Sequence, residues 1–503
     1  MAVTDSNIHM GHLASLPDRR ADTDPDGPCL DDDRVVLTNR DFLQRVRATA
    51  AALAGHGIAP GEVVATLLTN RAELVITMFA AWRLGASLTP VNPSLTPREA
   101  AFQIHDARAR VVIHDADVMD LGDVDCIDVA ELPTDEDEHD ATPADHDPAA
   151  VALLIYTSGT TGKPKGVVLD HSNLNAMVEM ITTALQLGPH HHCLLILPLF
   201  HVNGIVVSVL SPLVVGGATS ITARFSASTF FDTVEALRPT YFSAVPAIYA
   251  MLTALPEDVV PDTSSIEFAI CGAAPMPAEM IHRFEARYGI PIIEGYGLSE
   301  CTCAATLNPI DGPRKPGTVG RPLPGVEIAL LGDDGRPTTN RTGEILVRGP
   351  NVMRGYLGRP KETVEVLRDG WLHTGDVGHF DDDGHLVLVD RVKDMIIRGG
   401  ENIYPKEIES TLYRHAAVLE AAVVGRPHDV LGEEPVAFVS LRDDAPAITD
   451  ELLVLCANEL AAYKRPREII VLDELPKNAV GKLSKPALRD MLCTVDRTTH
   501  PNG

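Results

Sequence analysis

Positive charge is scarce in this chain. Its 503 residues hold 42 lysines and arginines against 70 aspartates and glutamates, a formal net charge of −28. Binding to nucleic acid needs clustered basic side chains that displace counterions, and an anionic membrane surface needs the same, so neither is expected as a partner. The acidic excess is read as a solubility feature. Cysteine is thin as well: eight residues, at 29, 126, 193, 271, 301, 303, 456 and 493, none in a paired metal-ligand spacing. That excludes the disulfide framework of a small secreted domain and fits reduced thiols in a cytoplasm. The run HHHC at 190–193 follows Gly188-Pro189. Four adjacent residues do not easily converge on one zinc ion, so a solvated loop is expected there. The N-terminus, MAVTDSNIHMGHLASLPDRR, lacks the apolar core of a signal peptide. The long apolar stretch 193–221 contains Pro198, His201, Asn203, Gly204, Pro212 and Gly216-Gly217, which would break a lipid-exposed helix. No membrane span is expected; 193–221 reads as a buried strand and helix of a large core.

Apolar residues make up 45% of the chain and charged residues 22%, a globular composition with enough length for several folding units. Phe42, Leu43, Val46, Ala50 and Leu53 share one helical face, which Gly55-His56-Gly57 ends. EVVATLLT at 62–69 is a continuous apolar run, as in a strand buried on both faces, and ELVITMFAAWRLG at 73–85 is again helical. VVIHD at 111–115 and AVALLIYTS at 150–158 continue the alternation, which indicates an α/β architecture with mostly parallel sheets. The acidic, proline-bearing stretch 134–148 reads as a surface connection. From about 390 the elements shorten. A loop, a helix entered at Pro405, strands VLEAAVVG and PVAFVSLR, a helix DELLVLCANELAAY and a last strand REIIVLDELP suggest a small α+β domain. The boundary is placed at 392–394, giving domains 1–392 and 393–503.

The densest chemistry lies at 156–166, YTSGTTGKPKG. A Walker loop would need G-x-x-x-x-G-K-[ST] with the lysine opening a helix. Here Gly159 and Gly162 are too close together and Lys163 precedes Pro164, so that reading fails. What remains is a buried strand running into a turn rich in hydroxyls and backbone N–H groups, able to wrap closely around an anion. Thr157, Ser158, Thr160 and Thr161 are candidate donors to phosphate oxygens, and Lys165 adds charge.

This stretch resembles the phosphate loop of the adenylate-forming superfamily of acyl-CoA synthetases, luciferases and peptide-synthetase adenylation domains. The resemblance runs from about residue 30 to 487, and further segments fit it in the family's order. It implies a large N-terminal domain of mostly parallel sheets flanked by helices with a β-barrel-like part, followed by a small mobile α+β domain. Its cofactors would be ATP, Mg²⁺ and coenzyme A. PLFHVNG at 198–204 looks like the segment whose histidine, here His201, borders the acyl-carboxylate channel. Amino-acid-activating relatives have an aspartate there to pair with an α-ammonium, which His201 cannot do; an acid without an α-amino group is implied. CGAAPMP at 271–277 resembles the adenine-side segment, with Gly272, Ala273 and Ala274 leaving room for a flat base. In EGYGLSE, 294–300, Gly295, Tyr296 and Gly297 would form the base site, with Tyr296 stacked on adenine. Ser299 would reach the α-phosphate, and Glu300, with Thr161, would hold Mg²⁺, which prefers carboxylate plus phosphate and water oxygens.

In GWLHTGDVGHFDDDGHLVLVDRVKD, 370–394, the resemblance gives Asp376 both ribose hydroxyls, brings Arg391 to the same ribose and makes Lys393 the hinge. The acids Asp381–Asp383 before Gly384 read as a hairpin turn. RGGENIYPKEIE at 398–409 resembles the pantetheine-tunnel loop, where Gly399 and Gly400 would let the ligand lie against the backbone. LPKNAVGKLSK at 475–485 matches the loop carrying the catalytic lysine, here Lys482. The implied catalytic set is Lys482, His201 and Lys165. The nucleotide loop comprises Thr157, Ser158, Gly159, Thr160, Thr161, Gly162 and Lys165.

The implied reaction joins a carboxylate to the α-phosphorus of MgATP, releasing pyrophosphate, and then passes the acyl group to a thiol with release of AMP. Coenzyme A is the expected acceptor, with a carrier-protein phosphopantetheine as the alternative. A ligase restricted to one half-reaction and a non-catalytic nucleotide-binding module are the other rivals. The small and apolar residues Val202, Asn203, Gly204, Ala244 and Gly295 are placed near the acyl pocket and suggest a hydrophobic acid, fatty, aromatic or polycyclic. A monomer or homodimer is expected.

Overall fold

The computed structural model describes residues 12–115, 121–134, 147–157, 164–272, 276–391, 394–399, 401–428, 430–442, 448–477 and 483–499. They fall into two compact units. One comprises Met1–Met276, Met280–Ile328 and Val347–His373, the other Pro277–Glu279, Ala329–Leu346 and Thr374–Gly503.

In the first unit the alternating pattern becomes two sheets. The nine-stranded sheet has a continuous parallel centre, in the order Ile292–Tyr296, Phe268–Cys271, Tyr241–Ala244, His192–Leu195, Ala218–Ile221 and Pro28–Asp31. In the seven-stranded sheet Val151–Thr157, Ser87–Pro90, Val63–Leu67, Val111–His114 and Asp125–Asp128 pair in parallel. Helices connect these strands, within one sheet or from one sheet to the other. Asn39–Gly55 is one; Phe42, Leu43, Val46, Ala50 and Leu53 are all buried, and a capping box of Thr38 and Asp41 starts it. Ala72–Arg83 is another, buried along nearly its whole length.

The core of the larger sheet is aromatic. Phe230 meets Phe242 edge-on at 5.1 Å, and Tyr249 meets Phe284 at 5.0 Å between ring centroids. The polar ends are satisfied: Tyr249 Oη donates to the Ile270 carbonyl, Tyr288 Oη to Leu252 and Tyr241 Oη to Val207. The stretch 193–221 is buried, as its composition demands. It forms the strand His192–Leu195, a helical rod built of Val202–Ile205, a π-helical turn Val206–Leu210 and Ser211–Val214, and the strand Ala218–Ile221. The solvated loop expected at 190–193 is not found. His192 and Cys193 belong to the strand and His191 is buried, because hydrogen bonding to the strands on both sides draws the run into the sheet. No helix among the described residues is long and apolar enough to cross a membrane. The cysteines at 29, 126, 193, 271, 301, 303 and 456 are free thiols.

A six-stranded sheet occupies 327–391. Its strand order is an open path, with Leu386–Arg391 pairing on Trp371–Phe380. The acids at 381–383 form the hairpin turn between those two strands: Gly384 has φ +77°, and Asp381 Oδ1 accepts from the N–H groups of Asp383 and His385.

In the second unit the helix Pro405–Tyr413, the strands Val418–His428 and Gly432–Leu441, the helix Thr449–Glu459 and the strand Glu468–Val471 follow the expected order. Two elements were not read from the sequence. The strands Ile396–Arg398 and Glu401–Ile403 form a hairpin inside the supposed loop, and Lys485–Thr499 is a helix.

Candidate active site

The phosphate-loop candidate is the connection of a β-hairpin. Val151–Thr157 pairs antiparallel with Lys165–Asp170, setting Tyr156 opposite Gly166 and Thr157 opposite Lys165. The strand Gly355–Tyr356 adds to the far edge, with Tyr356 opposite Val167. Sequence pattern gave the first strand and missed the other two. Gly166 is closely packed: a Cβ there would lie 3.2 Å from the Tyr156 ring. Tyr156 Oη donates to Asp106 Oδ2 at 2.8 Å, and burial followed by this bond pushes its phenol well up, so it stays a donor.

Lys165 is buried, and its Nζ stands 5.0 Å from the centroid of the Tyr356 ring, a cation–π contact. Tyr356 Oη donates to Glu300 Oε1 at 2.8 Å. One phenol therefore joins the loop lysine to the proposed metal carboxylate, although 56 residues separate Tyr356 from Glu300. The main chain reinforces the union: Leu357 N–H donates to Gly166 and Met353 N–H to the Glu300 carbonyl, both at 2.8 Å. Arg359 adds a second link, pairing with Asp106 at 3.6 Å and reaching the Pro164 carbonyl. Tyr356 and Arg359 were not singled out in the sequence. Their signal is the short phrase GYLGRP at 355–360, glycine-bounded and without apolar periodicity.

Glu300 sits in a 3₁₀ turn, Ser299–Cys301, after the strand Ile292–Tyr296. Thr302 and Cys303 follow with φ of +55° and +107°, a strained conformation for non-glycine residues. Asn351 fixes it: its Nδ2 donates to the carbonyls of Cys301 and Ala304, and its own carbonyl accepts from Thr302 Oγ1. Gly297 is demanded by this turn, because a Cβ there would lie 2.1 Å from the Cys303 carbonyl oxygen. Gly295 is likewise crowded, by Leu307 and the Thr306 carbonyl, whereas a Cβ on Gly272 would meet only the Gly295 carbonyl oxygen at 3.7 Å. Tyr296 is buried, at the end of its strand.

His201 is the N-cap of Val202–Ile205, half-buried, with its ring 4.6 Å from that of Phe200. Two residues on, Asn203 Oδ1 accepts from Ser243 Oγ at 3.0 Å and Asn203 Nδ2 reaches Cys303 Sγ at 3.7 Å. That contact ties the 198–204 segment to the strained turn after Glu300. Burial, eased slightly by Asn203, pushes the Cys303 thiol up to about 12, so it remains neutral.

In the second unit Asp376 lies directly opposite Arg391 in the strand pair, so the two proposed ribose residues share one register position. Thr374 orders the approach: its Oγ1 donates to the Ile345 carbonyl and accepts from Asp376 N–H. Gly399 has φ +59° and turns the tight hairpin between Arg398 and Glu401; the backbone geometry alone calls for glycine. The bridge of Lys477 with Leu483 closes the base of the loop that carries Lys482. Ser158, Gly159, Thr160, Thr161, Gly162, Ala273, Ala274, Lys393, Gly400 and Lys482 themselves lie outside the described residues.

Family models resolve what this assembly belongs to. The AMP-binding enzyme model matches residues 17–357 and the AMP-binding enzyme C-terminal domain model matches 407–482. The chain belongs to the AMP-binding enzyme family. Among relatives of this AMP-binding enzyme, a feruloyl-CoA synthase from Amycolatopsis sp is 36% identical over 95% of this chain and 98% of its own length. An o-succinylbenzoate CoA synthetase from Bacillus subtilis, solved with its acyl-adenylate intermediate, superposes with a TM-score of 0.86 at 33% identity, covering 95% of this chain and 97% of that one. The same synthetase in complex with ATP and magnesium ion gives a TM-score of 0.84 at 32% identity, covering 95% and 99%.

Proposed function

We propose that this AMP-binding enzyme is an ATP-dependent acid–CoA ligase acting on a hydrophobic carboxylic acid that lacks an α-amino group. The observation that carries the reading is the Lys165–Tyr356–Glu300 assembly. It holds a cation beside the base of a hydroxyl-rich loop and, one phenol away, a carboxylate fit for a hard divalent ion. The relatives' activities support the second half-reaction.

The first step brings two anions together. The substrate carboxylate oxygen forms a bond to the α-phosphorus, the bond from that phosphorus to the bridging oxygen breaks, and pyrophosphate leaves. Rate comes from positioning and from stabilising charge on phosphoryl oxygens. Lys165 and the hydroxyls of 157–161 neutralise the departing phosphates, and Tyr356 fixes the Glu300 carboxylate through Oε1. Magnesium, when bound, screens the phosphate charge. Gly272 leaves room for the base, and Asp376 with Arg391 takes the ribose. Lys482 bridges the carboxylate and α-phosphate oxygens. In the second step the coenzyme A sulfur attacks the acyl carbon and AMP departs, with Lys393 serving as the hinge that exchanges Lys482 for the thiol path.

The absence of aspartate at His201 supports the exclusion of amino acids. The cytoplasm is the fitting compartment for an enzyme that uses ATP and keeps its thiols reduced. A screen of fatty, aromatic and polycyclic acids for AMP release, with and without coenzyme A, tests the reading. AMP release that needs both an acid and coenzyme A is expected. Release with a loaded carrier protein but never with coenzyme A would overturn it in favour of the carrier-linked alternative.

A further inference from the structure

His190, His191 and Glu267 converge at the end of the nine-stranded sheet opposite the nucleotide segments. The two histidines precede the strand His192–Leu195 and Glu267 precedes Phe268–Cys271, whereas 198–204, 272–276 and 297–301 follow the carboxyl ends of these parallel strands. His190 Nε2 lies 3.7 Å from Glu267 Oε1 and His191 Nε2 lies 3.8 Å from Glu267 Oε2. The three ligand atoms are all within 4.8 Å of one another. These separations are too long for hydrogen bonds, so the groups face one another without satisfying one another. Donors held about 2.0–2.2 Å from zinc are about 3.3 Å apart at the tetrahedral angle and at most about 4.3 Å apart. The two histidine–carboxylate distances fall inside that window, each to a different oxygen, so Glu267 would hold the ion through both oxygens or turn one of them toward both rings.

The scaffold under the ligands is rigid. Thr240, at the start of the strand between them, donates its N–H to the His192 carbonyl at 2.8 Å and accepts from Glu267 N–H at 2.7 Å. Its Oγ1 accepts from His192 N–H at 2.9 Å. His191 is 4% exposed and packs edge-on against Tyr241, which stacks on Phe268. Its Nδ1 lies 3.2 Å from the Gly188 carbonyl oxygen. Nδ1 also accepts from Gly188 N–H at 2.8 Å; binding a metal through Nε2 would put the ring proton on Nδ1, aimed at the Gly188 carbonyl, as in the second-partner arrangement of a metal-bound histidine. The other members of the HHHC run are spoken for: His192 Nε2 bonds Ser220 Oγ at 2.6 Å, and Cys193 is buried with its thiol pushed up to about 12.

We propose that His190, His191 and Glu267 form a binding site for a zinc-class divalent ion, separate from the magnesium site, that staples the starts of two strands together. Two imidazoles and one carboxylate suit zinc, nickel or copper and not magnesium. The test uses full-length protein stripped with chelator and kept in excess Mg²⁺ so that the nucleotide site does not compete. Zn²⁺ is titrated by calorimetry, with the melting temperature followed in parallel. The expected result is one equivalent bound and a raised melting temperature. His190→Ala and Glu267→Gln, both at exposed side chains, should each weaken binding more than roughly tenfold, since even outer-shell partners are worth about 10–100-fold. Both variants should also abolish the thermal shift. Stoichiometric binding that survives both substitutions would place the ion elsewhere and overturn the proposal, as would wild-type protein that takes up no zinc.

Discussion

Replacing Tyr356 with phenylalanine separates the two functions of that side chain. The ring face over which Lys165 Nζ sits at 5.0 Å is retained, and only the donor to Glu300 Oε1, at 2.8 Å, is removed. A hydrogen bond to a charged group is worth about 1.5–3 kcal/mol, and the bond is half-buried, so the lower half of that range applies. At 1.4 kcal/mol per decade this is a loss of about tenfold, and it should fall on the adenylation half-reaction. Burial, then the neighbouring Glu300, holds the Tyr356 phenol well above its ordinary pKa. It therefore remains a donor across pH 6–9, and the defect should not vary over that range. Acid-dependent ATP–pyrophosphate exchange measured across a Mg²⁺ titration is the assay, with calorimetric binding of MgATP as a second readout. We expect a lower exchange rate, a higher Mg²⁺ requirement and a melting temperature close to wild type. Exchange and Mg²⁺ dependence both unchanged would refute the claim that Tyr356 positions the metal carboxylate.

Lys482→Ala should lower pyrophosphate exchange by about 10²–10³, the scale of one preorganised charge-stabilising donor, while thioester formation from synthetic acyl-AMP changes far less. Lys393→Pro should do the reverse. Asp390 and Asp394 on either side of it bind Lys406 and Arg489, and a proline between them would restrict the backbone rotation proposed there. Equal loss of both half-reactions in single-turnover measurements would count against the hinge. Asp18→Asn tests the N-terminal packing, where Asp18 binds the buried Arg83 at 2.6 Å and Arg47 at 3.1 Å. Burial opposes its ionisation, but the two arginines outweigh it and hold the carboxyl below its ordinary value. The contribution is therefore fully present above about pH 4 and lost as pH falls through the lower folded value. Denaturant melts should show the variant weaker by about 2 kcal/mol at pH 7, less than the roughly 3–5 of a fully buried pair, with the gap closing in acid.

Local rules made much of this protein legible. Continuous apolar runs marked parallel strands, and the D-D-D-G phrase at 381–384 marked a hairpin because aspartate side chains accept from their own turn and glycine takes positive φ. The loop 156–166 was visible because so many hydroxyls directly after a buried strand have few other uses. What stayed hidden depends on partners far along the chain. The strand Lys165–Asp170 is buried on the strength of its neighbours, and Gly355–Tyr356 is two residues long, too short for any periodicity to show. Tyr356 looks like any loop tyrosine until the sheet edge sets it beside Lys165 and Glu300. The reading of Gly297 and Gly399 shifted for a similar reason: each is demanded by backbone geometry that only the folded chain displays. The HHHC run was misread because the hydrogen-bonding strand beside it, and the glutamate two strands away, are more than forty residues downstream.

The π-helical turn Val206–Leu210 has a consequence for how this enzyme could diversify. Such a turn carries one residue more than an α-helical one. Deleting a single residue within it would restore ordinary winding, and because five π-helical residues sweep nearly the same angle as four α-helical ones, the segments on either side would keep their facing. Asn203 would stay beside Ser243 and Cys303 and the packing beyond Ser211 would stay in place, while the face of the rod at 206–210 lost one side chain. One codon at this point therefore changes what the rod presents at 206–210 without disturbing its neighbours, a cheaper alteration than rebuilding the sheet beneath it.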